Sequence, residues 1–389
     1  MKKRMISFVV ATVLASAAQA EVTLYDYKEG TSAYEEAYVN GGLTVGRTRS
    51  DDQTAYDLNL GVSYDRTLSS PSRDLNFQTD IDGAISRAGT KDADEVDSYT
   101  AGASVTVDNY FVPGSNTGFW FGGASVRAND AFDDLETTAT IGVGYGRVTN
   151  VTPMAKAMRV VDELVKYGVI KARPPVSVYQ QMASVISKEP EYYARFGSDY
   201  ELKWIGDVEA VLRSAGIVNS LGAIGILRTQ HVLVNENISL RRYGWKVRAG
   251  LSYVGSNFDG LTDKPGVLLG AEYHHPLNNQ TQLSDVATVN FVLNDGDNGY
   301  NFNNNLSLTY EVDDRIDWEN VWNLNYAKNS VNNDDVTTNN LSSTFAYEIN
   351  NTLDFTTTAR VQHINGSSDA SNPDGTDRAL IMGVRYRLR

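Results

Sequence analysis

Most of this chain alternates apolar and polar residues with a period of two, and that pattern fixes the local structure before anything else is known. In Phe302-Asn-Asn-Asn-Leu306-Ser-Leu308-Thr-Tyr310 the even positions are mostly apolar, while Asn301, Asn303, Asn305, Ser307, Thr309 and Glu311 are polar. Successive side chains of a strand point to opposite faces, so each such segment presents one oily face and one wet face. Two architectures accept strands of this kind: a half-solvated soluble sheet and a membrane barrel.

The pattern recurs along the chain. Before residue 151 it runs through Tyr56, Leu58, Leu60, Val62 and Tyr64, then Tyr99 to Val107, then Ala139 to Tyr145. Later it runs through Trp245, Val247, Ala249, Leu251 and Tyr253, and it continues to Leu380, Met382, Val384, Tyr386 and Leu388. Six candidate strands precede a middle segment and eight follow it, giving about 14. An even count returns both ends of a single-chain barrel to the same side. Val39–Arg47 and Phe119–Val126 alternate without a clear phase.

The start of the chain bears on the compartment. Lys2, Lys3 and Arg4 precede an apolar run from Met5 to Ala15, and Ala18-Gln19-Ala20 has the small-x-small form of a secretory cleavage site. Residues 1–20 are therefore expected to be a signal peptide cut between Ala20 and Glu21, since the run is too short to span a bilayer as a helix. No later segment has the length of an apolar helical span, so an exported chain either stays soluble or enters a membrane as strands. Cysteine is absent, which removes disulfides and thiolate metal sites. The formal charge of −14 argues against a nucleic-acid partner, which requires clustered Lys and Arg.

Aromatic depth favours the membrane. Taking the first strand as running outward, Tyr64, Tyr145, Tyr273, Tyr310, Tyr347 and Tyr386 stand near the inner ends of apolar faces, joined there by Trp318. Tyr56, Tyr99, Tyr253, Phe302 and Tyr326 stand near the outer ends. Two aromatic girdles around an apolar band are the signature of a strand bundle in lipid. Inner turns such as Asn350-Asn351 are short, whereas the outer loops are longer and acidic, with Asp133, Asp134, Asp334 and Asp335 expected to face outside.

The last strand, Gly383-Val-Arg-Tyr386-Arg-Leu388, resembles the C-terminal assembly signal of Gram-negative outer-membrane β-barrels, although Arg389 stands where that family ends on an aromatic. The resemblance is at the level of the porin-like superfamily. It implies an all-β transmembrane antiparallel barrel in the outer membrane, contact with membrane lipid and lipopolysaccharide, and delivery by the barrel-assembly machinery, with Gly383, Tyr386 and Leu388 as the signal residues.

Between residues 151 and 235 the alternation stops. Thr152 suits an N-cap, Pro153 the first helical position, and Gly168 the position past the end. Further helices are expected over Ser177–Ser187, from Pro190 to Gly197, after Ser198 or Asp199 to Gly216, and over Leu221–Val234. The chain thus divides into a signal (1–20), barrel strands 1–6 (21–150), a helical insertion (151–235) and strands 7–14 (236–389). An inward strand precedes the insertion, which places it on the periplasmic side. There it either hangs below the barrel, where it would meet a periplasmic protein or the cell wall, or folds into the lumen as a plug. Gly142, Gly144 and Gly146 on the lumen face would let something pack against the wall, or they are ordinary barrel glycines.

No catalytic, metal or cofactor site emerges. His274-His275 point to opposite faces, which disfavours a shared metal, and His363 lacks a placed nucleophile. Asn294-Asp-Gly-Asp-Asn-Gly299 misses calcium-loop spacing and reads as a turn. The lumen face carries the information: Asn76, Asp80, Asp82, Asn303 and Asn323 with Lys246, Arg248, Arg360, Arg385 and Arg387. A wet lumen of mixed charge fits a pore for small hydrophilic solutes, gated or docked through the helices. The competing reading is a non-conducting anchor whose helical domain recruits an envelope or export component. An enzyme is not expected.

Overall fold

The computed structural model describes residues 22–28, 30–46, 52–256, 258, 262–293, 299–328, 335–366 and 374–388. The cleavage site, the turn 294–298, Asp334 and Arg389 lie outside them. Six strands come first: β1 (Ser32–Gly46), β2 (Ala55–Ser69), β3 (Arg73–Arg87), β4 (Glu95–Tyr110), β5 (Gly118–Asn129) and β6 (Glu136–Asn150). Five helices follow: α1 (Thr152–Lys166), α2 (Val176–Ile186), α3 (Glu189–Phe196), α4 (Tyr200–Ser214) and α5 (Gly222–Gln230), with a π-helical turn at His231–Asn235. Eight strands complete the chain: β7 (Arg242–Ser256), β8 (Thr262–Pro276), β9 (Thr281–Val292), β10 (Gly299–Asp313), β11 (Ile316–Lys328), β12 (Asp335–Asn350), β13 (Leu353–Asn365) and β14 (Gly375–Arg387).

Each strand pairs antiparallel with its sequence neighbours and β14 closes on β1, giving a closed barrel of fourteen strands with a helical insertion, as the alternation predicts. The turns at 70–72, 277–280, 314–315 and 351–352 lie at one rim, together with the helices and the first residues of β1. The connection 111–117 lies at this rim too, tied by the Gly114 N–H to the Pro71 carbonyl, and the other strand connections lie at the opposite rim. No helix among the described residues is long and apolar enough to cross a membrane.

The two faces are told apart by reach. Lys246 of β7 bonds Asp108 of β4, and Arg385 of β14 bonds Glu319 of β11, each across three strand spacings, roughly 14 Å of wall. Side chains converge over such a span only on a concave surface, so these residues face the lumen. The alternate positions face out, where Leu60 (56 % exposed), Ile141 (62 %), Leu251 (65 %) and Leu380 (63 %) form a bare apolar band. Soluble proteins do not leave a continuous surface of this kind uncovered; lipid covers it. Aromatic pairs edge the band. Tyr310 sits opposite Trp318, Trp318 stacks on Phe345 with centroids 5.6 Å apart, and Tyr145 lies 6.0 Å from Trp245. This is the closed antiparallel barrel with an apolar outer band and aromatic edges that the alternation predicts.

The two strands without a clear phase have distinct reasons. β5 carries aromatics on both faces, with Phe119 and Phe121 buried on the lumen side and Trp120 exposed outside. In β1 the outward row Ala37, Val39, Gly41, Leu43 and Val45 is interrupted by glycine, because this strand forms the closing seam. Gly42 pairs Gly383, and a Cβ at Gly383 would stand 2.5 Å from the carbonyl oxygen of Gly41.

The helices hold their own core. Met154, Val160, Val161, Leu164, Met182, Val208 and Leu212 pack around Trp204, whose indole donates to the Val185 carbonyl at 3.1 Å. Leu24 and Tyr27 ahead of β1 join this core, and among the described residues no strand residue does. One local expectation fails: helix α1 starts at Thr152 with Val151 as N-cap and no side-chain cap, because the Thr152 hydroxyl accepts from the backbone N–H of Arg241 instead. The start of the insertion is thereby stitched to its end.

The face assignment is tested by charge. Met382→Arg, at mid-height on the outer face, should cost about 2–4 kcal/mol of stability in lipid, while Asn303→Lys on the lumen face should change it little. Unfolding in vesicles, followed by the heat-dependent gel shift, measures both; equal tolerance at the two positions contradicts the assignment.

Candidate functional site: the lumen and its helix-bearing rim

Strand β6 offers Gly142 and Gly144 to the lumen, and this bare strip decides how the wall is furnished. Phe119 and Phe121 of β5 lie over it, with a Cβ at Gly142 only 2.7 Å from the Phe121 ring and one at Gly144 closer still to Phe119. The partner of these glycines is therefore the neighbouring strand's aromatics, and no helix occupies the place. Above the rings the Arg248 guanidinium lies 5.8 Å from Phe119 and 5.9 Å from Phe121, a cation–π arrangement.

Charges are laid along the same wall. Asp108, fully buried, accepts from Lys246 Nζ at 3.0 Å and Arg248 Nη2 at 2.7 Å. Glu272 of β8 takes the other side of Arg248 and lies 3.5 Å from Lys246, with His274 Nε2 at 3.8 Å. A second group sits beside it: Asp74 accepts from Tyr110 Oη at 2.9 Å and from Ser69, and Arg147 stands 4.4 Å over the Tyr110 ring. Gly146, in the left-handed region at φ 100°, precedes Arg147, which by strict alternation would share the outer face with Tyr145 and here turns inward. Across the barrel Arg385 joins Asp354 at 3.0 Å and Glu319 at 2.9 Å and lies 5.4 Å over Tyr38, with Arg387 at 5.8 Å from the same ring. In a low-dielectric wall a lone buried charge is costly, and pairing offsets that cost. The lumen cations Lys246, Arg248 and Arg385 are thus bound down against the wall.

The remaining sequence-predicted lumen residues are spread rather than gathered. Asn303 and Asn323 belong to an inward amide ladder with Asn301, Asn305 and Asn325, in which Asn305 donates to Asn323 at 2.6 Å. Asn76 accepts from Thr67 at 3.0 Å. Asp80 and Asp82 are exposed, their carboxylates resting beside Gly102 and Gly61, and Arg360 is exposed on β13. The carboxylates Asp74, Asp108, Glu272, Glu319 and Asp354 escaped the sequence reading. Their inward parity was visible; the partners of Asp74, Asp108 and Glu319, three strands away, were not. Among the described residues no group of three His, Asp or Glu side chains is placed to hold a metal.

At the rim the helices are fastened by a buried ion network. Arg159 of α1 bonds both Glu236 and Glu311, and Arg241 Nη2 meets Glu311 at 2.6 Å. Glu311 also accepts from the Ser239 N–H at 2.8 Å, and Asn279 of the β8–β9 turn accepts from Arg159 at 3.1 Å. Burial, with the Arg159 charge beside it, lowers the Arg241 guanidinium to about 10, which leaves it charged at neutral pH. Burial raises the Glu236 carboxyl against the pull of Arg159. Tyr25 donates to the Pro276 carbonyl at 2.7 Å, and Asn351 to Asn235 at 3.0 Å. These attachments reach turns and strand ends. Among the described residues no helix packs extensively along a barrel strand.

No family model matches the chain, and no curated protein matches it. Among solved structures, it is similar to the low-pH structure of Pseudomonas putida OprB at 10 % identity, covering 92 % of this chain and 93 % of that one, with a TM-score of 0.34. Salmonella typhi OmpF in complex with daunomycin gives 10 % identity, 93 % and 99 % coverage, and a TM-score of 0.36. The COG4313 outer membrane channel from Pseudomonas putida F1 gives 8 %, 96 % and 98 %, and 0.32. Similarity this distant adds nothing to the barrel described above.

Removing the shared acceptor tests the clamp. Glu311→Ala strands the buried Arg241 guanidinium and takes from Arg159 one of its two carboxylates, and should weaken docking of the helices by about 3–5 kcal/mol. Limited proteolysis should then cut within 151–241 many times faster, while the barrel keeps its heat-modifiable migration. A cleavage rate equal to that of the natural chain contradicts the clamp.

Proposed function

We propose that this protein is an exported, outer-membrane pore for small hydrophilic solutes, with its helices on the periplasmic side. The observation that carries the reading is a lumen face that is polar and solvent-exposed, at Gln78, Asp80, Asp82, Asn303, Asn305 and Arg360, while its strongest cations are neutralised along the wall. Water rather than packed side chains then fills the interior, since a barrel of fourteen strands encloses more space than its own side chains occupy. Placing the chain ends and short turns in the periplasm follows the usual barrel orientation. The helices, attached at turns, act as a rim domain that gates the pore or docks a partner.

A second reading keeps the barrel as a non-conducting anchor. Leu202 (71 % exposed), Ile224 (58 %) and Leu227 (59 %) on the helical domain favour it, as apolar side chains that a periplasmic partner would cover.

Conductance of the purified protein in planar bilayers separates the two. Asn150 and Arg242 are paired across β6 and β7, so a short Gly-Ser linker between them removes the helices without stretching the wall. The pore reading expects stable conductance steps from the full chain and equal or larger steps from the shortened one. Absence of conductance from both leaves the anchor.

A further inference from the structure

The helical domain does not meet the rim evenly. Its ion network fastens it to Glu311 and to the β8–β9 turn, whereas over the closing seam the two bodies stand apart around a cavity of about 660 Å³. The barrel side of this cavity includes Tyr34 and Glu36 at the start of β1 and Arg387 at the end of β14. The helix side includes Lys156 of α1 and Glu189 and Tyr193 of α3. Tyr34 and Glu36 share the parity of Tyr38, whose ring lies in the lumen beneath Arg385 and Arg387, so the cavity continues the inward face of the barrel. Its size suits a small solute.

We infer that this seam-side cavity is the aperture through which the lumen opens past the helices, and that its charges make it select small hydrophilic cations over anions. The inference rests on the pore reading above. Four carboxylates (Glu35, Glu36, Glu189 and Glu236) line the cavity against the two cations Lys156 and Arg387. Lys156 and Glu189 face each other at 4.0 Å and Arg159 is bonded to Glu236, so these two carboxylates are offset and the acidic excess rests on Glu35 and Glu36 against Arg387. At physiological ionic strength the screening length is about 8 Å, comparable with the width of such an opening, so a passing ion feels these charges. Selection by rings of like charge at a constriction is how pores of either sign discriminate.

The natural chain contains no cysteine, so a single introduced thiol is addressed without background. Glu189→Cys in the full chain, reacted with a bulky maleimide, should lose at least about half its conductance. Leu202→Cys on α4, exposed and away from the cavity, should lose none when reacted in the same way. Independently, Lys156→Glu should raise the cation-to-anion permeability ratio about threefold, read as a shift of reversal potential in a salt gradient, and Glu189→Lys should lower it. Complete labelling at residue 189 with unchanged conductance, together with unchanged reversal potentials, overturns the aperture and leaves the pore standing. An unlabelled chain that does not conduct overturns the pore reading and the aperture with it.

Discussion

Backbone hydrogen bonding without water is the constraint on which the rest depends. In lipid every N–H and C=O along fourteen strands needs a protein partner, and only a closed cylinder supplies one to each. Closure is made at the β1–β14 seam, where five residues of each strand pair, from Tyr38 with Arg387 to Gly42 with Gly383. The Leu388 N–H extends it by donating to the Ala37 carbonyl at 2.8 Å. Gly383, Tyr386 and Leu388, read as an assembly signal from their resemblance to other barrels, stand in or beside the strand that completes the ring.

Once the ring is closed, period two divides the residues into two solvents and the chemistry of each side follows. Outside, apolar side chains and two aromatic edges meet lipid. Inside, charges would be costly against a low-dielectric wall unless paired, and glycines on β6 leave the depth in which Phe119, Phe121, Lys246 and Arg248 lie flat. The helices add a second body with its own core around Trp204, so its attachment rests on Glu311 and a few turn contacts rather than on shared packing.

The strands were legible because alternation is local: Leu251 and Tyr253 declare their face from their immediate neighbours. β5 hid its phase because aromatics serve both faces there, and β1 because Gly41 and Gly42 meet a neighbour from the far end of the chain. Helix spacing was legible from Met154, Val161 and Leu164, but not the cap, since Thr152 was claimed by Arg241, which follows it by a whole domain. Asp108 shows the general limit in the lumen. Parity places it inside, yet its partner is 138 residues away in sequence, and only the closed ring brings Lys246 to it.

The five tryptophans allow a direct measurement of the division between lipid and water. Trp120, Trp245, Trp318 and Trp322 stand on the outer face of the barrel, and Trp204 is fully buried in the helical core. In single-tryptophan variants reconstituted into vesicles, brominated lipid should quench each of the four barrel residues strongly and leave Trp204 unquenched. Quenching of Trp204 by lipid, or barrel tryptophans that respond to aqueous iodide and not to brominated lipid, would contradict the account.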